Sequence, residues 1–381
     1  MITRTAWIEN IEKAWLEKPV VWLSGVRRTG KTWLCQSLNN VEYFDCELPR
    51  TRQMMVDPQG FLDSVKGKRI VLDEVHRLPQ PSEILKIAAD HYPDIKVLAT
   101  GSSTLGASAK FRDTLTNRKR DVRLTPMTWS DLESFGRTEL DFRMLRGGLP
   151  PFFLSPTLPE SDYQEWLDSF WAKDIQELFR LERRSSFFKF VELVLSQSGG
   201  IFEATRFSRP CEVSRSTVSN YLEVLEATLV AHVVRPFSSR NSSEIISAPK
   251  VFGFDTGFIC YFRGWRELRQ EDKGVLLEHL VLNELQAHLQ ALPVKYWRDK
   301  GGHEVDFVVQ QRGSPPAAIE CKWAVESFDP ASLLSFRTRY PDGRNIVVAN
   351  DVGRPFTRNY KNLRVEFVSL ATLRSCFVFE N

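Results

Sequence analysis

The sequence predicts an α/β chain in three parts, and three observations predict it. An apolar run, Val20–Ser24, leads directly into Gly25-Val-Arg-Arg-Thr-Gly30-Lys31-Thr32 and then a helical pattern. A helix-period stretch over 161–198 gives way to short helices. The last 110 residues then alternate strands and helices again, with carboxylates set among apolar residues. The parts are drawn at 1–155, 156–240 and 241–381.

Composition narrows the classes. With 381 residues, 42% hydrophobic and 26% charged, the chain can build ordinary cores, which excludes disordered and collagen-like classes. Lys+Arg 51 against Asp+Glu 48 leaves +3, so a polycation that coats nucleic acid is excluded and any such contact must be a local patch. No apolar run reaches the length of a membrane span. The start, Met1-Ile-Thr-Arg-Thr5, lacks the apolar run of a signal peptide. The six cysteines (35, 46, 211, 260, 321, 376) form no Cys-x-x-Cys pair, which fits reduced thiols in a cytoplasmic protein. The six histidines show no zinc spacing.

In the first part, Gly-x₄-Gly-Lys-Thr between a strand and a helix is the setting of a phosphate-binding loop. Its glycines let the backbone curl so that successive N–H groups and the helix N-terminus face an anion. The expected nucleotide contacts are Gly25, Arg27, Arg28, Thr29, Gly30, Lys31, Thr32 and Trp33. Lys31 pairs with the outer phosphates of ATP and Thr32 offers its hydroxyl to Mg²⁺. The strand Arg69–Glu74 ends in two acids. Asp73 suits the Mg²⁺ site, and Glu74, one step along the strand period, points elsewhere and can polarise the attacking water.

Further strands are expected at 41–45 and 95–99. After the second, Thr100 or Ser102 is placed to sense the terminal phosphate or to cap a helix. The basic run Arg112, Arg118, Lys119, Arg120 and Arg123 reaches a fifth strand, as an arginine finger, a nucleic-acid contact or a solvated face.

In the second part, Gly147-Gly148-Leu149-Pro150 and the prolines that follow read as a linker or hinge. A short helix is expected at 202–207. Another begins after Ser214 as N-cap, with Val218, Leu222 and Leu225 at helical spacing and Arg215, Ser216, Thr217 and Asn220 at its start. That pattern is similar to the second helix of a helix-turn-helix, with 229–237 as a wing strand; DNA contact and internal packing are both open.

In the third part, an amphipathic helix over 274–285 carries Glu278. Strands 303–309 and 317–323, joined by a turn, can put Asp306 beside Glu320, and Glu320 and Lys322 share one strand face. Glu278, Asp306 and Glu320 are the candidate Mg²⁺ ligands, with Asp306, Glu320 and Lys322 as candidate catalytic residues for phosphodiester hydrolysis. A salt-bridge cluster accounts for the same spacing.

Taken in order, Gly-Val-Arg-Arg-Thr-Gly-Lys-Thr (25–32), Leu-Asp-Glu-Val (72–75), Thr-Gly-Ser-Ser (100–103), Gly-Gly-Leu-Pro (147–150), Lys-Val-Phe-Gly-Phe-Asp-Thr-Gly (250–257), Leu-Leu-Glu-His (276–279), Glu-Val-Asp-Phe (304–307) and Ile-Glu-Cys-Lys (319–322) resemble a bacterial and archaeal family of ATPases. In that family an AAA-type P-loop domain precedes a C-terminal domain of unknown function. The resemblance implies an ATPase sheet whose P-loop strand is not next to the Asp73 strand. It also implies a winged helix and a terminal α/β fold similar to restriction-endonuclease-like PD-(D/E)XK nucleases. Glu278, Asp306, Glu320 and Lys322 fall on the nuclease-type positions. Asn117-Arg118 stands where the family often has Gly-Arg.

These readings lead to a Mg²⁺-dependent ATPase that changes conformation on hydrolysis and acts on DNA as a motor or an ATP-coupled nuclease. The alternative is an ATP-gated switch that binds DNA or protein through the winged helix and cuts nothing. ATP, Mg²⁺, DNA and a second copy of the chain are the expected partners; a membrane is not.

Overall fold

The structure is a computed structural model that describes residues 2–101, 109–157, 160–179, 181, 183–238 and 248–377. Five strands build the first sheet: β1 Val20–Ser24, β2 Glu42–Asp45, β3 Arg69–Asp73, β4 Lys96–Thr100 and β5 Lys119–Arg123. All pair in parallel, in the order β2-β3-β4-β1-β5. The continuous apolar runs in β1, β3 and β4 follow from burial on both sheet faces. β4 separates the P-loop strand β1 from β3, as the resemblance implies.

Beyond this layer the 161–198 pattern is interrupted. It forms helix Glu160–Phe170, a π-helical turn Trp171–Ile175, the short Gln176–Phe179 and helix Arg184–Ser196. Trp166, Phe170, Phe187, Phe190 and Tyr221 pack into one aromatic core. The short helix expected at 202–207 spans Ala204–Ser208. Helix Arg215–Ala227 starts where expected, and Ser214 Oγ accepts the Thr217 N–H at 3.1 Å.

The remaining strands are β6 Gly200–Ile201, β7 Ala231–Pro236, β8 Lys250–Gly253, β9 Val294–Arg298, β10 Glu304–Val309, β11 Ala317–Lys322, β12 Asn345–Ala349, β13 Phe356–Tyr360 and β14 Leu363–Val368. They form one nine-stranded sheet, in the order β13-β14-β12-β11-β10-β9-β7-β8-β6. β7 pairs with β9 in parallel, Arg235 opposite Lys295, so residues on both sides of 240 share one sheet.

Two details differ from the sequence reading. The helix carrying Glu278 spans Gln270–Leu289 and is not amphipathic: Leu276, Leu277, Leu280, Val281, Leu282 and Leu285 are all buried. The nine-stranded sheet packs against it on one side, and on another the first layer reaches it, with Asn283 Nδ2 donating to Pro126 O at 3.1 Å. The Gly147-Gly148 pair is also no open linker. Gly148 N donates to Asp255 Oδ2 at 2.6 Å. A Cβ on Gly147 would stand 2.0 Å from Asp255 Oδ1, and one on Gly148 would stand 2.2 Å from Arg143 Nη2. These glycines exist for close approach, and Gly147 also has φ +78°.

His279, on the same long helix, is 5% exposed. Its Nδ1 lies 2.7 Å from Val275 O and its Nε2 2.6 Å from Ser198 Oγ. The carbonyl can only accept, so Nδ1 carries the proton and Nε2 accepts from Ser198. Burial pushes its pKa down to about 4, against 6.5 for an ordinary histidine. The unfolded chain therefore binds the extra proton first, and the stability is complete above pH 6.5 and is lost as pH falls toward 4. We expect about 2 kcal/mol of this loss between about pH 7.5 and pH 5. Denaturant unfolding at both pH values checks it: His279→Gln, which cannot titrate, should show a smaller difference than the wild type.

Candidate functional site

The turn after β1 sets the first site. Gly30 has φ +93° and Arg28 φ +65°, both left-handed, and a Cβ on Gly25 would meet Leu124 O at 2.6 Å. Thr29 Oγ1 turns inward to Val26 O at 2.8 Å. Arg4 braces the loop from outside, with Nη1 donating to Thr29 O at 3.0 Å and a two-pronged pair to Asp131 at 2.9 and 2.6 Å. Arg4 is 3% exposed and Asp131 1%.

Above the loop lies a cavity of about 620 Å³, a size that takes a nucleotide. Gly25, Arg27, Arg28, Gly30, Lys31, Thr32, Trp33 and Glu74 line it, as the sequence reading expects. Thr29 and Asp73 do not; both are buried behind the wall. Lys31 Nζ is turned onto the loop's own carbonyls, 2.9 Å from Gly25 O and 3.3 Å from Val26 O. Burial lowers its pKa, opposed by Glu74 and Asp174.

The acids behave differently from each other. Asp73 Oδ2 accepts from Tyr43 Oη at 2.5 Å, and Asp73 Oδ1 accepts from Thr100 Oγ1. Glu74 lies beyond the end of β3 with φ +54°, so a left-handed turn aims it into the cavity, where strand alternation was expected to do so. The Glu74 N–H donates to Thr100 Oγ1 at 3.0 Å. Burial pushes the Glu74 carboxyl up, but His76, 3.1 Å away, with Lys31 and Arg27, holds it below its ordinary value. Thr100 therefore joins both acids; Ser102 and Ser103 lie outside the described residues. Thr32 and Asp73 carry hard oxygens of the kind that Mg²⁺ takes.

Several lining residues were not expected: Arg4, His76, Pro150, Leu154 and Asp174. Asp174 is the most consequential, since it is 7% exposed and pairs with Arg27, Nε to Oδ2 3.2 Å. Nothing in local sequence marks it; its place comes from the π-helical turn. Arg118 is on the surface, 2.7 Å from Asp90, and does not line the cavity. Asn117 beside it has φ +62°, which explains why glycine also suits that position.

The C-terminal acids do converge. β10 and β11 pair antiparallel with Phe307 opposite Ile319, which sets Asp306 next to Glu320. Asp306 Oδ2 accepts the Cys321 N–H at 2.8 Å. Lys322 Nζ stands 2.8 Å from Glu320 Oε2 and 3.9 Å from Asp306 Oδ2. Glu278 and Glu304 complete the negative set, with Lys250 paired to Glu304. Four carboxylates thus share two ammonium groups and the more distant Arg298. Burial, then the Asp306 charge, pushes both Glu278 and Glu320 well up. Glu320 Oε1 is buried with no hydrogen-bond partner. Among the described residues no three His, Cys, Asp or Glu side chains are arranged to hold a metal as they stand. The chemistry of the donor set suits Mg²⁺, and Lys322 occupies the place between Asp306 and Glu320.

On the helix Arg215–Ala227, Val218, Tyr221, Leu222 and Leu225 face the core, while Arg215, Ser216, Ser219 and Asn220 are exposed.

Comparison with known proteins agrees with this geometry. Residues 17–133 match an AAA domain. The N-terminal layer is an AAA-type P-loop domain. Residues 137–269 and 273–370 match two domains of unknown function, DUF8612 and DUF4143. Uncharacterized proteins of Mycobacterium tuberculosis and Mycobacterium bovis are each 27% identical over 327 residues, 83% of this chain and 73% of theirs. Among solved structures, a RuvB variant of Thermotoga maritima is 15% identical, covers 61% of this chain and 90% of its own, and gives a TM-score of 0.29. McrB AAA+ hexamers with bound McrC from Thermococcus gammatolerans give 11%, 51% and 50%, and 0.22. Among the described residues no helix is long and apolar enough to cross a membrane.

Removing one partner of a buried ion pair strands the other charge. Asp131→Ala should therefore lower the stability of the AAA domain by about 3–5 kcal/mol, read by chemical denaturation. An exposed pair, such as Arg266 with Glu160, should give almost no change when treated the same way.

Proposed function

We propose that the chain hydrolyses ATP with Mg²⁺ and uses the cycle to act on DNA. The observation that carries the hydrolysis reading is the joint presence of Lys31, Thr32 and Glu74 on one cavity wall, with Asp73 directly behind. Glu74 takes the proton of the attacking water as its oxygen bonds to the terminal phosphorus. The bond from that phosphorus to the bridging oxygen breaks, and ADP leaves with those electrons. Lys31 turns from its own loop carbonyls to the outer phosphates and neutralises charge there. Thr32 and Asp73 hold Mg²⁺, which offsets phosphate charge when bound. The depressed Glu74 pKa keeps it ionised and ready as a base at neutral pH.

The DNA reading is supported by the exposed Arg215, Ser216 and Asn220 at the start of a helix whose other face is anchored. We read residues 156–240 as a helical lid and winged-helix region, with helix Arg215–Ala227 as the second helix of the motif and β7 as the wing strand. The C-terminal unit we read as nuclease-like, with Glu278, Asp306 and Glu320 for Mg²⁺ and Lys322 for the attacking water. Its specific support is the surplus of negative charge and the partnerless Glu320 Oε1. Assembly of several copies and a cytoplasmic site of action complete the proposal.

Lys31→Ala should abolish ATP turnover, and Glu74→Gln should bind ATP while hydrolysing it at least about a hundredfold more slowly. Full turnover by Lys31→Ala, measured as released phosphate, would remove the site assignment. For the second unit, a gel assay with single-stranded, duplex and branched DNA should show Mg²⁺-dependent cleavage that Lys322→Ala loses. No cleavage by the wild type would remove the nuclease reading; a DNA-raised ATPase rate would then leave the motor, and a rate that DNA does not change would favour the switch that cuts nothing.

A further inference from the structure

We propose that Arg27 contacts the terminal phosphate of ATP from within the same chain, and that Asp174 holds its guanidinium until ATP arrives. This rests on the ATP-binding reading above and adds a residue and a partner to it.

Arg27 and Asp174 face the same cavity as Lys31, Thr32 and Glu74. Asp174 stands close enough to Lys31 to act on its charge, so it sits on the phosphate side of the cavity. A carboxylate buried there is out of keeping with a pocket built for an anion, unless it occupies the anion's place. An arginine recognises a carboxylate oxygen and a phosphate oxygen by the same N–H···O⁻ contact. ATP brings more charge to that contact than one carboxylate does. Burial raises the Asp174 carboxyl against the pull of Arg27, so the pair is held at a desolvation penalty that exchange for phosphate relieves. ADP lacks the third phosphate and leaves the pair intact.

The exchange has a mechanical consequence. Residues 27–28 of the loop touch the helical segment at three places. Arg27 meets Asp174, Arg28 Nη2 meets Glu165 Oε1 at 2.5 Å, and Trp166 Nε1 donates to Arg27 O at 3.1 Å. All three partners lie between Glu160 and Ile175. Asp174 lines the cavity and Glu165 does not, so the first contact is the one placed for exchange with a ligand atom. Asp174 also lies within a π-helical turn, a geometry that recurs at functional sites. ATP therefore releases the 171–175 turn and ADP does not, which gives the differential affinity that a population shift needs.

The test uses the full chain with Mg²⁺, titrated with ADP and with a non-hydrolysable ATP analogue, while hydrogen exchange is followed over 160–179. Asp174→Asn should bind the ATP analogue about fivefold or more tighter than the wild type, with ADP affinity little changed. Asp174→Glu should return toward the wild-type value. Arg27→Gln should keep ADP affinity and lose turnover on the order of a hundredfold. In the wild type the analogue, and not ADP, should speed exchange over 160–179. A folded Asp174→Asn that binds the analogue no tighter, or equal exchange with both nucleotides, overturns the proposal while ATP binding stands. A wild type that binds neither nucleotide, although folded, overturns both. If Asp174→Asn does not fold, Arg27→Gln decides: equal loss of ADP and analogue affinity overturns the assignment, and selective loss of the analogue supports it.

Discussion

Arg143 and Asp255 form the joint around which the chain is arranged. Each is almost fully buried, and burial lowers the pKa of the one and raises that of the other. Neither is left alone. Arg143 donates to Met127 O at 3.2 and 3.1 Å and to Thr256 Oγ1 at 3.0 Å. Asp255 accepts the N–H of Gly148 and of Gly257, starting the helix Thr256–Arg263 as it does so. One cluster thus ties the end of the AAA domain to the strand and helix that follow the middle part. Helix Glu160–Phe170 follows in the chain and meets the P-loop directly, Trp166 Nε1 donating to Arg27 O.

The long helix Gln270–Leu289 extends the same logic to the C-terminal unit. Glu278 belongs to the acid cluster, and Glu284, six residues on, accepts the Trp129 N–H at 2.6 Å. That is under two turns, or roughly 9 Å along the axis. The acid cluster and the N-terminal layer therefore meet on one rigid element. Any displacement of Trp129 against the AAA sheet moves the base of the helix that carries Glu278.

Much of this was legible in the residues. The P-loop, its strand and helix, the Asp73 strand and the pairing of Asp306 with Glu320 all rest on local patterns that survive folding. Residues 41–45, 69–74 and 95–99 gave strands within one residue of those observed, because apolar runs bounded by polar ones have few alternatives. Orientation was harder. Strand alternation could not foresee that β3 stops at Asp73 and that a left-handed residue aims Glu74. Gly147-Gly148 read as a hinge because glycine also serves close packing, and only the distant Asp255 shows which use applies. Asp174 carried no signal at all, since it reaches the cavity through a π-helical turn far along the chain. The helix at Gln270 read as amphipathic because its neighbours on two sides come from separate parts of the sequence.

The nine-stranded sheet draws three of its strands from residues matched by one family and six from residues matched by another. The seam between them is the short pairing of β7 with β9. There Arg235 pairs with Lys295 and Pro236 with Tyr296, and the Phe237 N–H donates to Tyr296 O at 2.6 Å. Cut apart at the seam, each piece would carry a raw β-edge, open to self-association. The two families are thus neighbours within one sheet as well as in order along the chain.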